Sequence, residues 1–273
     1  MIFMTNRTNA QLRNHYEVEK ELAKRLKASS REERKALYKV MYDELFEKVP
    51  DHPRLTTRAN PTLTLKKNEN KLKMVRRLLN RRTVFAEFAP GDCEFCFFIA
   101  DQVCQVYAMD ISDQTNQTKK RPDNFELIVY DGYALDMGES SVDLLFSDQF
   151  IEHLHPEDVP HHYALAHSLL VPGGKYVFRY PHRYRGPSDI SQFFSDTPEG
   201  FHLNESTFTE TVEHLKRAGF SQYQCYWCSR GMRVPLPFWL MRSAERLAKN
   251  LPFRLRRFLA HGLFPAVQMS ATK

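Results

Sequence analysis

The sequence predicts an α/β protein with a mostly parallel sheet that carries helices on both faces. Strand-like and helix-like runs alternate from about residue 83 to residue 228, a pattern typical of βαβ units. A tight turn that contains Pro90 and Gly91 links the first of these strands to the first helix. Hydrophobic residues make up 42% of the 273 residues, so the chain can bury a sizeable core.

The elements of this core follow from residue type and spacing. The predicted strands are 83–88, 105–109, 127–130, 142–147, 175–180 and 221–227, and the predicted helices are 95–102, 159–170 and 207–218. We therefore divide the chain into a helical extension at 1–82, a core domain at 83–228 and a basic amphipathic segment at 229–273.

The N-terminal extension has the spacing of helices. Apolar residues recur every three or four positions at Val18, Leu22 and Leu26, and again at Leu37, Met41 and Leu45. Ser30 and Glu33 have the spacing of a capping box at a helix start. The polar run 56–70 predicts a link, and 71–82 predicts a basic helix. These helices either cover a cofactor pocket or pack together with a solvated charged face.

The C-terminal segment mixes large apolar residues such as Trp239 and Phe258 with basic residues such as Arg246 and Lys249. This composition suits a helix that lies on an anionic membrane surface. It equally suits a helix that packs its apolar face on the core and leaves the charges in water. The formal net charge of +6 is consistent with an anionic partner, or with solubility alone.

Cysteine usage and hydropathy predict an intracellular protein. The five cysteines include two C-x-x-C spacings, Cys93/Cys96 and Cys225/Cys228. Such spacings occur in zinc sites, but these pairs lie in apolar or strand-like runs that favour buried free thiols. We therefore predict no metal site. The sequence shows neither a signal peptide nor an apolar span of about 20 residues, so we expect a cytoplasmic location, with peripheral membrane contact as the alternative.

Two acidic residues mark the ends of neighbouring predicted strands. Glu87 lies near the end of the first strand, just before the turn with Pro90 and Gly91. Asp110 ends the second strand about 20 residues after the turn, where a carboxylate can bind ribose hydroxyl groups. Ligands of open parallel sheets bind at this edge, so we expect the site here.

The motifs downstream keep the order found in the class I S-adenosylmethionine-dependent methyltransferases, and residues 83–227 resemble that family. The resemblance implies a Rossmann-like, seven-stranded, mostly parallel sheet with one antiparallel strand at 223–227. It implies S-adenosylmethionine as cofactor, with Asp110 on the ribose and Asp131 on the adenine amino group. The residues that it assigns to the cofactor are Glu87, Ala89, Gly91, Asp110, Asp131, Gly132, Ser147 and Gln149.

This sequence departs from the family pattern at Ala89 and Cys93, where the family has glycines. Alanine at a turn that needs a positive φ carries strain. The stretch 113–124 also leaves little room for the usual second helix. A dinucleotide-binding protein of the same class fits less well, because Asp92 and Glu94 near the helix start would repel a pyrophosphate. A positively charged sulfonium tolerates these acids.

The acceptor side is predicted from the long polar loop 180–207 and from nearby histidines. We predict His153 or His182 as the general base that removes a proton from a hydroxyl or amine. The alternative is that His153 packs or caps a turn. Acceptor binding is assigned to loop residues that carry charge or can titrate, unless the loop is passive: Arg183, Arg185, Asp189 and His202.

These interpretations predict an enzyme that methylates oxygen or nitrogen on a small-molecule, saccharide or lipid-linked acceptor. The sequence lacks the N-P-P-Y/F signature of nucleic-acid amino methylation and any separate RNA-binding module, so we do not expect a nucleic-acid substrate. The alternative is a non-catalytic protein that keeps the methyltransferase fold.

Overall fold

A computed structural model describes residues 7–115, 119–229 and 232–273. The described residues form one eight-stranded sheet in the order β3-β2-β1-β4-β5-β8-β6-β7. The strands are β1 Val84–Phe88, β2 Gln105–Asp110, β3 Phe125–Val129, β4 Val142–Asp148, β5 Leu170–Tyr180, β6 Gln222–Ser229, β7 Met232–Leu236 and β8 Val267–Thr272. The α/β class is confirmed, with one strand more than predicted.

The antiparallel strands of the sheet differ from the one that the sequence predicts at 223–227. Strands β1 to β5 are parallel, and β8 is antiparallel to both of its neighbours, β5 and β6. Strand β6 therefore runs parallel to β5, and the prediction of an antiparallel strand at 223–227 is wrong. The reversal comes instead from β8 and from β7, which pairs antiparallel with β6.

The C-terminal segment contributes a strand to the centre of one half of the sheet. Val267, Met269 and Ala271 of β8 are fully buried between β5 and β6. The boundary placed at residue 228 therefore does not separate this segment from the core. The sequence analysis missed β8, because its run of VQMSAT is only six residues long, although it alternates apolar and polar residues as a strand does.

Helices cover both faces of the sheet. They are α1 Asn9–Ala28, α2 Arg31–Lys48, α3 Pro53–Arg58, α4 Pro61–Val75, α5 Glu94–Ile99, α6 Val159–Leu169, α7 Phe208–Arg217, α8 Phe238–Lys249 and α9 Phe253–Leu263. Strand β1 alternates between the faces: Phe85 packs with α4 and α5, and Ala86 with α6 and α7. In the described part of the chain, no helix has both the length and the apolar character needed to span a membrane.

The N-terminal helices begin at residues that satisfy their first N–H groups. The capping box of Ser30 and Glu33 at the start of α2 is confirmed. The predicted link 56–70 is largely helical, because Pro53 and Pro61 stand in the first turns of α3 and α4, where proline is favoured. Among the described residues of 113–124, none is helical, as the shortness of that stretch predicts.

Candidate active site

A cavity of about 340 Å³ lies at the carboxyl edge of the parallel strands. Its floor comes from residues that follow β1, β2 and β4: 89–92, 110–111 and 149–150. Its other walls come from the N-terminal helices, including Tyr38 and Tyr42 of α2 and Arg54 of α3. The helical extension therefore covers the cavity, which is one of the two roles that its sequence allowed.

The turn after β1 has a left-handed backbone at three positions. The φ angles of Ala89, Gly91 and Cys93 are 50°, 65° and 57°. The predicted strain at Ala89 is confirmed, since a Cβ makes this region costly for any residue except glycine. A hydrogen bond of 2.8 Å from the Ala89 N–H to the Met109 carbonyl secures the turn on β2. The turn is thereby brought to the cavity edge.

Asp110 is buried at the end of β2 and lines the cavity. Its carboxylate accepts hydrogen bonds from the N–H of Gly91 at 2.9 Å and from its neighbour Ile111 at 2.7 Å. Burial raises the pKa of Asp110, although these backbone hydrogen bonds oppose the rise. Each carboxylate oxygen can accept a second hydrogen bond, so the group can still receive hydroxyl groups from a ligand.

Glu87 lies behind the cavity wall. Its carboxylate accepts a hydrogen bond of 2.7 Å from Lys71 of α4 and one of 3.2 Å from the thiol of Cys96. Burial alone would lower the pKa of Lys71, but the charge of Glu87 raises it. Glu87 therefore ties α4 to β1 and does not reach the cavity surface. Sequence reasoning missed Lys71, because it is one of several basic residues in α4.

Two predicted site residues, Asp131 and Gly132, follow β3, and only one of them lines the cavity. Gly132 lines the cavity, with a φ of 87°. Asp131 does not line it, because its carboxylate caps the N–H groups of Tyr133 and Ala134 at 2.9 and 2.7 Å. The Tyr133 hydroxyl donates to Asp158 at 2.8 Å.

Asp158 also anchors helix α2. Arg34 of α2 is almost completely buried and donates to Asp158 at 2.9 and 3.1 Å. Tyr133 and Asp158 both line the cavity, so this bidentate pair fixes the cap beside it. Sequence reasoning missed Arg34, because an arginine on a charged helix gives no sign that it will be buried.

Two predicted site residues lie at the end of β4: Gln149 lines the cavity, whereas Ser147 is buried and does not. Gln149 lines the cavity with a φ of 58°, and its N–H donates to the Arg179 carbonyl at 2.8 Å. The Ser147 hydroxyl instead shares a hydrogen bond of 2.7 Å with the hydroxyl of Tyr176. That hydroxyl lies 2.8 Å from Nε2 of His162, a further cavity residue. Burial lowers the pKa of His162 to about 3, so its ring is neutral.

His153 lines the cavity on the side where the cap meets the sheet. Its Nδ1 lies 3.0 Å from the carbonyl oxygen of Phe201. A carbonyl only accepts, so Nδ1 carries the proton and Nε2 carries the free lone pair. Burial lowers the pKa of His153 well below its ordinary value, and the ring is neutral near pH 7.

His182 does not reach the cavity. Its Nε2 is 2.8 Å from the Glu245 carboxylate, and its ring stacks on Phe264. Glu245 also accepts the N–H groups of Phe208 and Thr209 at 2.6 and 3.0 Å, which caps α7. His182 is therefore a buried residue that contacts both α7 and α8, outside the cavity lining.

The predicted acceptor residues of the loop also lie outside the cavity lining. Arg183 contacts Glu210, and Arg185 donates to the Pro265 carbonyl. Asp189 accepts the N–H groups of Ser191 and Gly200 at 2.9 and 3.1 Å. The loop packs against α1, α7 and α9.

His202 of the loop does not line the cavity, but it contacts His153, which does. Its ring is 5.1 Å from the ring of His153, and its Nδ1 is 2.9 Å from Glu205. Burial alone would lower the pKa of His202, but the hydrogen bond with Glu205 and nearby carboxylates raise it to about 9. It stands behind His153 as seen from the cavity.

Residues 86–178 match a family model described as a methyltransferase domain. The matched segment runs from β1 to β5 and includes Gly91, Asp110, Gln149 and His153. No curated protein sequence matches this chain.

Solved structures share the fold at low sequence identity. A SAM-dependent methyltransferase from Archaeoglobus fulgidus is 16% identical, with a TM-score of 0.52 over 77% of this chain and 94% of that chain. The YcgJ protein from Bacillus subtilis is 12% identical, with a TM-score of 0.52 over 76% and 98%. Phosphoethanolamine N-methyltransferase 1 of Haemonchus contortus, in complex with phosphoethanolamine and S-adenosylhomocysteine, is 15% identical, with a TM-score of 0.56 over 89% and 50%.

Proposed function

We propose that this chain, which carries a methyltransferase domain of the class I Rossmann-like type, binds S-adenosylmethionine and methylates a small acceptor. The observation that carries the proposal is Asp110, a buried carboxylate that faces the cavity from the end of β2. It can accept the two ribose hydroxyl groups, as acids at this position do in open α/β sheets. The cavity volume of about 340 Å³ lies within the range of small-molecule sites.

The remaining parts of the cofactor are assigned to the rest of the floor. We place the adenine beside Ile111, Tyr130 and Gly132, and the methionine end between Gly91 and Gln149. Nothing in this arrangement requires a phosphate site. A sulfonium also suits the acidic residues at the cavity, such as Asp148 and Asp92.

The acceptor is assigned to the side formed by the cap. Tyr42, Arg54, Lys67 and His153 lie there. Arg54 stands over the Tyr42 ring at 5.0 Å, and neither Arg54 nor Lys67 forms an ion pair within the described ranges. These cations favour an acceptor that bears negative charge. The hydroxyl or amine of a small molecule, a saccharide or a lipid-linked group remains the proposed class.

The chemistry needs one proton acceptor. A lone pair of the acceptor oxygen or nitrogen forms the bond to the methyl carbon, and the carbon–sulfur bond breaks with its electrons left on sulfur. The acceptor then loses a proton, and we assign Nε2 of His153, a neutral ring nitrogen at the cavity, as the base that takes it. The products are the methylated acceptor and S-adenosylhomocysteine.

The experiment uses methyl-labelled S-adenosylmethionine with fractionated cell extract. Wild-type protein should label one small-molecule or lipid fraction, and heat-denatured protein should label none. Binding of the cofactor without labelling of any fraction would instead support the second candidate, a non-catalytic protein with the same fold. The strained φ angles at Ala89 and Cys93 are the observation that favours this alternative.

Helices α8 and α9 support a further proposal, contact with an anionic membrane surface. Met241, Ala248 and Ala260 pack inward and are buried. Both helices also expose large apolar side chains: Trp239 by 67% and Leu247 by 76% on α8, and Phe258 by 74% on α9. Exposed basic residues lie along the same two helices, at Arg242, Arg246, Lys249 and Arg254.

A further inference from the structure

Three side chains converge beside the acceptor side of the cavity: Glu152, His153 and His202. One ligand atom of each lies within 4.8 Å of the others. Glu152 is completely buried, and in the described part of the chain neither of its carboxylate oxygens has a hydrogen-bond partner. A buried carboxylate that accepts no hydrogen bond is costly, and a cation bound to its oxygens would offset that cost.

Both imidazole rings are held by their Nδ1 atoms. Nδ1 of His153 is 3.0 Å from the Phe201 carbonyl, and Nδ1 of His202 is 2.9 Å from the Glu205 carboxylate. Histidines that bind metals are oriented in this way, by a carbonyl or carboxylate on the nitrogen that does not bind. Glu205 is itself fixed by the N–H of Ser188 at 2.8 Å. The Nε2 atoms of both rings are thus left for a shared ligand.

We propose that Glu152, His153 and His202 bind one divalent first-row transition-metal ion, for which Zn²⁺ is the probe. Two imidazoles and one carboxylate suit such an ion better than Mg²⁺ or Ca²⁺, which prefer oxygen ligands. Three protein ligands leave a coordination position open, as in catalytic zinc sites. Because His153 lines the cavity, the open position would serve an acceptor hydroxyl or a water molecule there.

A second histidine–carboxylate cluster differs from the proposed site, because its carboxylate and ring nitrogens contact protein groups. In the cluster of His15, Glu19 and His52, Glu19 contacts His15 at 2.7 Å and accepts the Phe201 N–H at 3.2 Å. Nδ1 of His15 is 2.8 Å from Arg7, and Nδ1 of His52 accepts the Arg54 N–H at 3.1 Å. This network satisfies its own polar atoms, and it provides the matched control.

The test measures Zn²⁺ binding to the full chain after treatment with a chelator. Calorimetry and elemental analysis should find one ion per chain, with Kd in the micromolar range or tighter. Glu152→Gln and His202→Ala should weaken binding at least 100-fold, and Glu205→Gln, which only loosens His202, by about 10- to 100-fold. His52→Gln should bind as the wild type does. Thermal unfolding and S-adenosylmethionine binding report whether each variant is folded.

A Co²⁺ spectrum of the wild type keeps the test independent of the variants' folding. Co²⁺ in this site should give d–d bands without the sulfur charge-transfer bands that ligation by the free cysteines would give. The proposal is overturned if the wild type binds no Zn²⁺, if His52→Gln abolishes binding while His202→Ala does not, or if Co²⁺ shows thiolate ligation. Intact S-adenosylmethionine binding beside any of these results would leave the proposed function standing.

Discussion

The backbone N–H of Gly91 donates a hydrogen bond of 2.9 Å to the carboxylate of Asp110. This contact joins the turn after β1 to the end of β2, across 19 residues of sequence. It fixes the direction of the carboxylate at the cavity floor, where the ribose is placed. The left-handed backbone at Ala89 and Gly91 shapes the turn in which this N–H points toward β2.

The ion pair between Lys71 and Glu87 should make a large contribution when only one partner is removed. Lys71→Met leaves the Glu87 carboxylate buried without its cation, so we expect a loss of about 3–5 kcal/mol in the free energy of unfolding. The double variant Lys71→Met/Glu87→Gln should recover most of this loss. Urea unfolding of the wild type, Lys71→Met, Glu87→Gln and the double variant measures both values. Equal losses in the single and double variants would show that the pair does not link α4 to β1.

His153→Gln should reduce methyl transfer by about 10²- to 10⁴-fold, because the substitution removes the neutral ring at the acceptor side. Binding of S-adenosylmethionine should stay within a few-fold of wild type. His161→Gln is the control, since His161 also lines the cavity but its Nε2 is 3.1 Å from the Tyr133 carbonyl.

Treatment with a chelator distinguishes the two roles proposed for Nε2 of His153, which are proton acceptor and metal ligand. If the ring acts as the base, activity survives chelation; if it binds the metal, activity falls and Zn²⁺ restores it. An unchanged kcat in His153→Gln would remove His153 from the acceptor site under either role.

Acid should destabilise the protein through His162. Burial lowers the pKa of this ring to about 3, whereas the unfolded chain binds a proton near the ordinary value of about 6.5. Below about pH 6.5 the unfolded state therefore binds a proton on this ring that the folded state does not bind. The free energy of unfolding then decreases as the pH falls toward 3. His162→Gln keeps a hydrogen-bonding group near Tyr176 but cannot titrate.

We expect His162→Gln to flatten the plot of unfolding free energy against pH by up to about 1.4 kcal/mol per pH unit between pH 6 and 4. Urea unfolding at each pH gives this slope. Burial also lowers the pKa of His261 of α9, but this ring is exposed, so His261→Gln should flatten the slope much less than His162→Gln does. A wild-type slope in His162→Gln would mean that this ring titrates normally.

Helices α8 and α9 should hold the protein on anionic vesicles at low salt. Each basic residue near such a surface contributes about 1 kcal/mol, and the attraction is screened over a Debye length of roughly 8 Å at physiological salt. The variant Trp239→Ser/Phe258→Ser should sediment less with the vesicles, and Val129→Ser, which changes an exposed residue of β3, should not. Failure of the wild type to sediment with anionic vesicles in low salt would exclude the membrane contact.

The sequence predicted the fold of the core well, because its strands are apolar and its helices periodic. Every predicted strand from 83–88 to 221–227 exists in the sheet. The errors in the fold prediction concern which strands pair with each other, because strand pairing depends on contacts between residues distant in sequence. Strand β8 lies between β5 and β6 although 37 residues separate it from β6 in the chain. No local pattern in VQMSAT indicates that insertion.

Sequence analysis located the residues of the candidate site whose position depends on where a strand ends. Gly91, Asp110 and Gln149 lie at or just after strand ends, and strand ends can be located from sequence. Glu87 and Ser147 face the interior because a strand directs successive side chains to opposite faces, and their partners Lys71 and Tyr176 lie elsewhere in the chain. The charged loop residues were misplaced for the same reason: Arg183 and Asp189 find protein partners that the loop sequence does not reveal.

The most direct test of the central proposal is calorimetry of S-adenosylmethionine with the wild type, Asp110→Asn and Asp123→Asn. We expect the wild type to bind one molecule with a Kd in the micromolar range. Asp110→Asn should bind about 10- to 100-fold more weakly, because hydrogen bonds to a charged acceptor contribute about 1.5–3 kcal/mol. Asp123→Asn, at a side chain that is 95% exposed, should bind as the wild type does. Absence of binding to the wild type, or equal binding by Asp110→Asn, would contradict the account.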